Sequence, residues 1–176
     1  PMQVGATWTY KSGDSKLTLT VKDQRRVGAK RWLCAHVETS QEGKVVGSDD
    51  VSVQDDGVYR VASDDKPIEP AVLILKLPPA SVAWTVSSRV EPKNGGDKLP
   101  LSGTFTEADA AAVSAGGTDY ANAVVVSCQD LDAHGAKYSF KVYYVKDIGM
   151  VKQEITSGGL TTTLELEKDG YKAGSK

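Results

Sequence analysis

Apolar and polar side chains alternate along most of this chain. Trp8 and Tyr10 share one face of Ala6–Tyr10 while Thr7 and Thr9 share the other, and Leu17, Leu19 and Val21 form a second stripe after the turn residues Ser12-Gly13-Asp14-Ser15. A period of two marks an extended strand with one buried face, so these runs predict a hairpin. Residues 31–38 and 44–54 predict another through Gln41-Glu42-Gly43, and Asp55-Asp56-Gly57 turns the chain into Val58–Val61. Near the middle, Pro67, Pro70, Pro78 and Pro79 interrupt any regular ladder. Ala71–Leu75 fits a short buried strand between them, and Val82, Trp84 and Val86 resume the alternation.

Pro92–Asp97 predicts a loop, followed by a strand over 99–106. Glu107–Val113 fits a helical turn or a strand, because its alanines suit both. Gly116-Gly117 ends that run before Tyr120–Cys128, and Asp132–Gly135 leads into Lys137–Val145, where Tyr138, Phe140, Val142 and Tyr144 share a face. Asp147-Ile148-Gly149 predicts a structural turn that brings Tyr144 and Val151 together, with Gly149 at positive φ. Residues 160–167 supply the last strand. A single β domain over 1–169 is expected, with 170–176 as a peripheral tail.

No strand is followed by a glycine-rich phosphate turn and a long helix, which argues against an α/β nucleotide fold. The expected class is all-β: a single antiparallel meander forming a curved half-barrel or an incompletely closed barrel. Full closure would remove both edges, and a curved sheet with an open concave face fits the same pattern.

Composition changes this picture little. The chain has 176 residues, 40% of them hydrophobic, and 21 basic residues oppose 23 acidic ones for a net charge of −2. No basic block suits extensive phosphate contact, so nucleic acid is not an expected partner. No continuous apolar stretch reaches transmembrane length.

Candidate chemistry is sparse, and no catalytic, cofactor-binding or metal-binding residues are assigned. His36 and His134 belong to no zinc-type spacing. The run from Asp130 superficially resembles a calcium loop, but its twelfth position is Lys141, where a bidentate Glu is required. Asp49-Asp50, Asp55-Asp56 and Asp64-Asp65 suit turns and solubility, and Ser87, Ser127 and Ser139 lack a nucleophile-elbow context. Cys128 has Asp130 and His134 nearby in sequence without any requirement that they converge. Cys34 and Cys128 fit two buried thiols or one long-range disulfide. Trp8, Trp32 and Trp84 fit core anchors; if they line a concavity instead, they form an apolar-ligand face.

Val4–Tyr10, Asp56–Tyr59, Leu75–Pro78 and above all Tyr143–Glu154 resemble a family of small exported bacterial β domains of uncharacterised function. More remotely, the chain is similar to the curved half-barrels of bacterial lipoprotein carriers. The resemblance implies an extracytoplasmic location, in the bacterial envelope or secreted, and partners such as an envelope protein or a lipid-like small molecule. The expected function is a noncatalytic binding or scaffold module. An apolar-ligand carrier is the alternative, and hydrolysis ranks third.

Overall fold

The computed structural model describes residues 2–92 and 95–175. Lys93 and Asn94, within the expected loop at 92–97, lie outside the described residues. Twelve strands are present among the described residues, in a simple meander. The first half comprises β1 (Thr7–Ser12), β2 (Ser15–Val27), β3 (Trp32–Gln41), β4 (Lys44–Gln54), β5 (Gly57–Ser63) and β6 (Lys66–Lys76). The second comprises β7 (Ala83–Val90), β8 (Leu99–Ala115), β9 (Thr118–Ala133), β10 (Ala136–Val145), β11 (Gly149–Ser157) and β12 (Leu160–Lys172). The ambiguous run 107–113 is therefore strand, its alanines carried within β8.

Every strand pairs antiparallel with its sequence neighbours, and β1 also pairs with β12, so the sheet is a closed barrel. This corrects the expected half-barrel or incompletely closed barrel, and with it the carrier-like architecture that the remote resemblance implied. The cause is register at the chain ends. Thr7 and Trp8 pair with Lys172 and Tyr171, and Tyr10 and Lys11 pair with Leu166 and Glu165, so the first strand covers the edge that the last would expose. Residues 170–172, read from the sequence as tail, continue β12. Tyr171 stacks on Trp8 with ring centroids 5.5 Å apart.

Closure is uneven around the ring. Among the described residues the β6–β7 ladder has two register pairs, Ile68–Val90 and Glu69–Arg89. Pro67 and Pro70 flank those residues and have no N–H to extend the ladder. On its other edge β6 pairs with β5 throughout, Lys66 with Ser63 and Pro67 with Ala62 before an irregularity, then Val72 with Arg60 and Leu75 with Val58.

Two packed clusters fill the interior. One gathers Trp8, Tyr10, Val21, Val37, Val51, Val151 and Leu166; the other gathers Ile68, Val72, Val86, Phe105, Val126 and Cys128. β8 and β9 are 17 and 16 residues long against eight for β7, so their hairpin overshoots the wall. Its end brings Val113 and Ala123 into the first cluster. The tip reaches β12 beyond Lys152–Glu165, the last register pair toward that end between β11 and β12. Gly116 (φ +55°) lies so close to the Leu166 carbonyl that a Cβ would collide with it.

Candidate functional site

The three tryptophans occupy three separate places. Trp8 is buried in the first cluster, and its Nε1–H donates to the Ile148 carbonyl at 2.6 Å. Tyr10, two residues on and also buried, donates through its hydroxyl to the Met150 carbonyl at 2.9 Å. The Asp147-Ile148-Gly149 corner is thus gripped from β1. Val145 pairs with Gly149, Asp147 has φ +63° and Gly149 has φ +98°. Burial beside Tyr144 and Tyr120 pushes the Tyr10 phenol far above its ordinary range, so it remains a donor.

Trp84 is half-buried against the second cluster, tilted on Phe105 at 5.8 Å, and its Nε1–H donates to the Leu73 carbonyl at 3.1 Å. Trp32 lies near Tyr59, with ring centroids 4.9 Å apart and the Lys30 ammonium 4.8 Å from the indole. Trp8 thus belongs to the first cluster and Trp84 packs against the second, while Trp32 is in neither.

A buried group of titratable side chains lies on β2, β3 and β4. Ala35, Val37 and Val51 face the barrel core, so alternation sends Cys34, His36, Asp50 and Ser52 to the opposite side. They are nonetheless buried. The β2–β3 turn curls over β5, where a Cβ on Gly28 would lie 3.2 Å from Val61 Cγ1. Arg25 forms two parallel bonds to Asp50, Nε to Oδ1 and Nη2 to Oδ2, both 2.8 Å, and Nη2 also reaches Asp65 Oδ1 at 2.5 Å. His36 Nδ1 lies 3.1 Å from Asp50 Oδ1.

His36, Asp50 and Asp65 could each offer one ligand atom to a metal, all within 4.8 Å of one another. The arginine already supplies the positive charge at that point, bidentate on the buried carboxylate. Its hydrogen bond to Asp50 raises the guanidinium pKa further, and its hydrogen bond to Asp65 holds that carboxyl below the usual range. A divalent ion would have to displace it, so the residues present do not make an open metal centre.

Cys34 neighbours this group without completing a Cys–His pair: its thiol donates to the Trp32 carbonyl at 3.4 Å. Burial and then the Asp50 charge push the thiol upward, away from the nucleophilic thiolate. Cys128 lies in the second cluster, and both cysteines are free thiols, which settles the disulfide alternative against a bridge. His134 sits in the β9–β10 turn at φ +60°, and the next residue, Gly135, donates its N–H to Asp132 Oδ1 at 2.9 Å.

Neighbouring aspartates separate by the same alternation. Asp49 points to the core side, bonded to Arg60 with Nε to Oδ1 at 2.8 Å, whereas Asp50 faces Arg25. Burial raises the Asp49 pKa against the lowering effect of Arg60. Arg25 has to be located by strand register: β2 carries an irregularity between Val21 and Asp23 that brings Arg25 opposite Cys34.

Glu107 is the other residue that the pattern conceals. It is buried on β8, yet its carboxylate accepts the Lys76 N–H at 2.9 Å and the Ala80 N–H at 2.6 Å, clasping the Pro78-Pro79 connection between β6 and β7. The surrounding alanines provide no apolar stripe to mark its direction.

Two openings flank the β8–β9 tip. The larger, of about 750 Å³, is lined by Lys11, Lys152, Lys168, Glu165 and Glu167 with glycine and threonine; the smaller, of about 180 Å³, lies beside Tyr120, Ile148 and Tyr171. Neither is lined by a tryptophan. No helix among the described residues is long and apolar enough to cross a membrane.

No family model matches the chain, and no curated protein matches it. Among solved structures it is similar to a Bacteroides fragilis protein described as exported and of YmcC-like fold, at 14% identity and a TM-score of 0.47 over 98% of each chain. That likeness is too distant to carry a functional assignment.

Proposed function

We propose that this chain is a noncatalytic binding or scaffold module that acts outside the cytoplasm and recognises its partner with its outer surface. The observation that supports this reading is the filled interior: both core clusters are packed, and the overshooting hairpin places Val113 and Ala123 among the side chains of the first. The extracytoplasmic placement rests on the resemblance of Val4–Tyr10 and Tyr143–Glu154 to exported domains. The titratable cluster is consistent with a structural role, since Arg25 engages both acids and the Cys34 thiol is held protonated. One feature favours the carrier as second reading: half-buried Ile74, Leu75, Trp84, Phe140 and Tyr144 line the second cluster beside the thin β6–β7 junction.

The test is titration of purified protein with fatty-acid and phospholipid probes while tryptophan emission is followed, with assay for hydrolysis products. The expected outcome is neither saturable uptake nor turnover. Saturable uptake would replace this reading with the carrier. Turnover abolished by replacing one polar surface residue would replace it with an enzyme.

A further inference from the structure

Two neighbouring turns at one end of the barrel carry opposite charge. The β2–β3 turn holds Lys30 and Arg31, with Arg26 beside it on β2, and the β4–β5 turn holds Asp55 and Asp56; all five are exposed. Among the described residues none of the five forms an ion pair, whereas Arg25 is engaged by Asp50 and Asp65. The turns are tied together from beneath by Trp32, at the head of β3, and Tyr59 on β5, whose ring centroids are 4.9 Å apart.

Between the charges lie two large apolar side chains that both core clusters leave out. Leu33 and Val53 are 51% and 53% exposed, and each stands two residues beyond the Ala35–Val51 pair, so alternation puts them on one face. Arg26 is the register partner of Leu33, and Val53 leads into Asp55. The order along this rim is therefore basic, apolar, acidic. Its turns are also fixed in advance. The Arg31 N–H donates to the Gly28 carbonyl at 3.0 Å with Arg31 at φ +49°, the Arg31 carbonyl accepts Arg26 Nη1 at 3.1 Å, and Asp56 accepts the Tyr59 hydroxyl at 2.8 Å. Little ordering is left to be done on contact.

That order selects the occupant. A wholly acidic segment is repelled by Asp55 and Asp56, and a wholly basic one by Arg26, Lys30 and Arg31. The complement is the same order reversed, which a two-fold axis through the apolar centre produces from the chain itself. We infer that the rim between the β2–β3 and β4–β5 turns is a contact for a second copy of this chain, in which the basic turn of each copy faces the acidic turn of the other across Leu33 and Val53. Exposed ion pairs each contribute little and are screened by salt, so the dimer is weak and salt-dependent. It goes beyond the binding-module reading and uses no residue of either core cluster, so it stands whichever way lipid titration falls.

Sedimentation of the full chain at up to about 1 mM, which reveals even millimolar association, is the test. A monomer–dimer equilibrium is expected at low salt, weakened severalfold at about 0.5 M salt. Lys30→Glu with Arg31→Glu should weaken it at least about tenfold, and so should Asp55→Lys with Asp56→Lys. An equimolar mixture of these two variants places opposite charges at both contacts, so it should form heterodimers about as tightly as the wild type pairs with itself. Leu33→Ser, which leaves every charge in place, should also weaken association.

A wild-type chain that stays monomeric at every concentration would overturn the inference. So would association that both charge reversals leave unchanged, or reversed variants that keep the wild-type melting midpoint yet fail to recover each other on mixing. Where a reversal lowers the midpoint, Leu33→Ser decides: a dimer as tight as the wild type's removes the contact.

Discussion

Two junctions complete the barrel, and each uses a tryptophan N–H on a backbone carbonyl. Between β1 and β12 the closure is deep. Four residues of β1 are in register, Trp8 stacks on Tyr171, and Trp8 and Tyr10 both reach past β12 to the carbonyls of Ile148 and Met150. Between β6 and β7 it is shallow, with two residue pairs, a half-buried Trp84 and the Glu107 clasp. The same donor chemistry thus fixes one junction within the buried core and only bridges the other. What separates them is the ladder and burial around the indole, not the hydrogen bond itself.

The largest expected effect breaks the deep junction. Trp8→Ala removes a buried ring, its stack on Tyr171 and the anchor on Ile148, and should cost about 3–5 kcal/mol. Trp84→Ala, at a half-buried site, should cost about half as much. Reversible denaturation of the two variants side by side checks this, and equal losses would remove the distinction between the junctions.

Glu107→Ala sharpens the shallow side. It removes the acceptor of the half-buried Lys76 N–H and of the N–H of exposed Ala80, which water can satisfy instead. The expected loss is about 1–2 kcal/mol, accompanied by faster amide exchange at 76–82. Glu107→Gln keeps an acceptor oxygen and should recover part of the stability. If exchange at 76–82 stays unchanged in the alanine variant, Glu107 is not what holds the connection.

The alternation of apolar residues was enough to show the meander, because a half-buried strand must repeat every two residues whatever it pairs with. Closure was hidden for a different reason. It depends on which strand Trp8 and Tyr10 meet, and their acceptors lie 140 residues away. The prolines around Ile68-Glu69 were legible as ladder breaks, but not the two pairs that survive between them. Arg25, His36 and Asp50 were equally opaque, since the irregularity after Val21 decides which face Arg25 takes. Glu107 lacked a signal because its neighbours are small.

Trp84→Phe isolates the indole donor at the shallow junction. Loss of one neutral hydrogen bond with most of the ring area kept should cost about 1 kcal/mol. The expected signature is faster exchange within 71–76 with a melting midpoint lowered by only about 2–4 °C. A drop comparable with that of Trp8→Ala would mean that Trp84 fixes its junction as firmly as Trp8 fixes the other.

The smallest effect comes from the wall between the junctions and serves as their control. Asp65 is exposed, and its bond to Arg25 holds its carboxyl below the ordinary value. A depressed folded-state pKa contributes stability that is present above the unfolded value and lost as pH falls through the folded one. Asp65→Asn should therefore cost no more than about 1 kcal/mol at neutral pH, as for other exposed ion pairs. The gap to wild type should close as pH falls below about 4, the ordinary carboxylate value. Asp49 has the opposite sign, because burial raises its pKa, so its contribution is largest in acid and declines as pH rises. Denaturation of wild type and Asp65→Asn across that acid range checks the prediction. A gap that stays constant or widens in acid would show that Asp65 acts other than through its charge on Arg25. A change in Trp8 or Trp84 emission in this variant would show that the wall and the junctions are not independent.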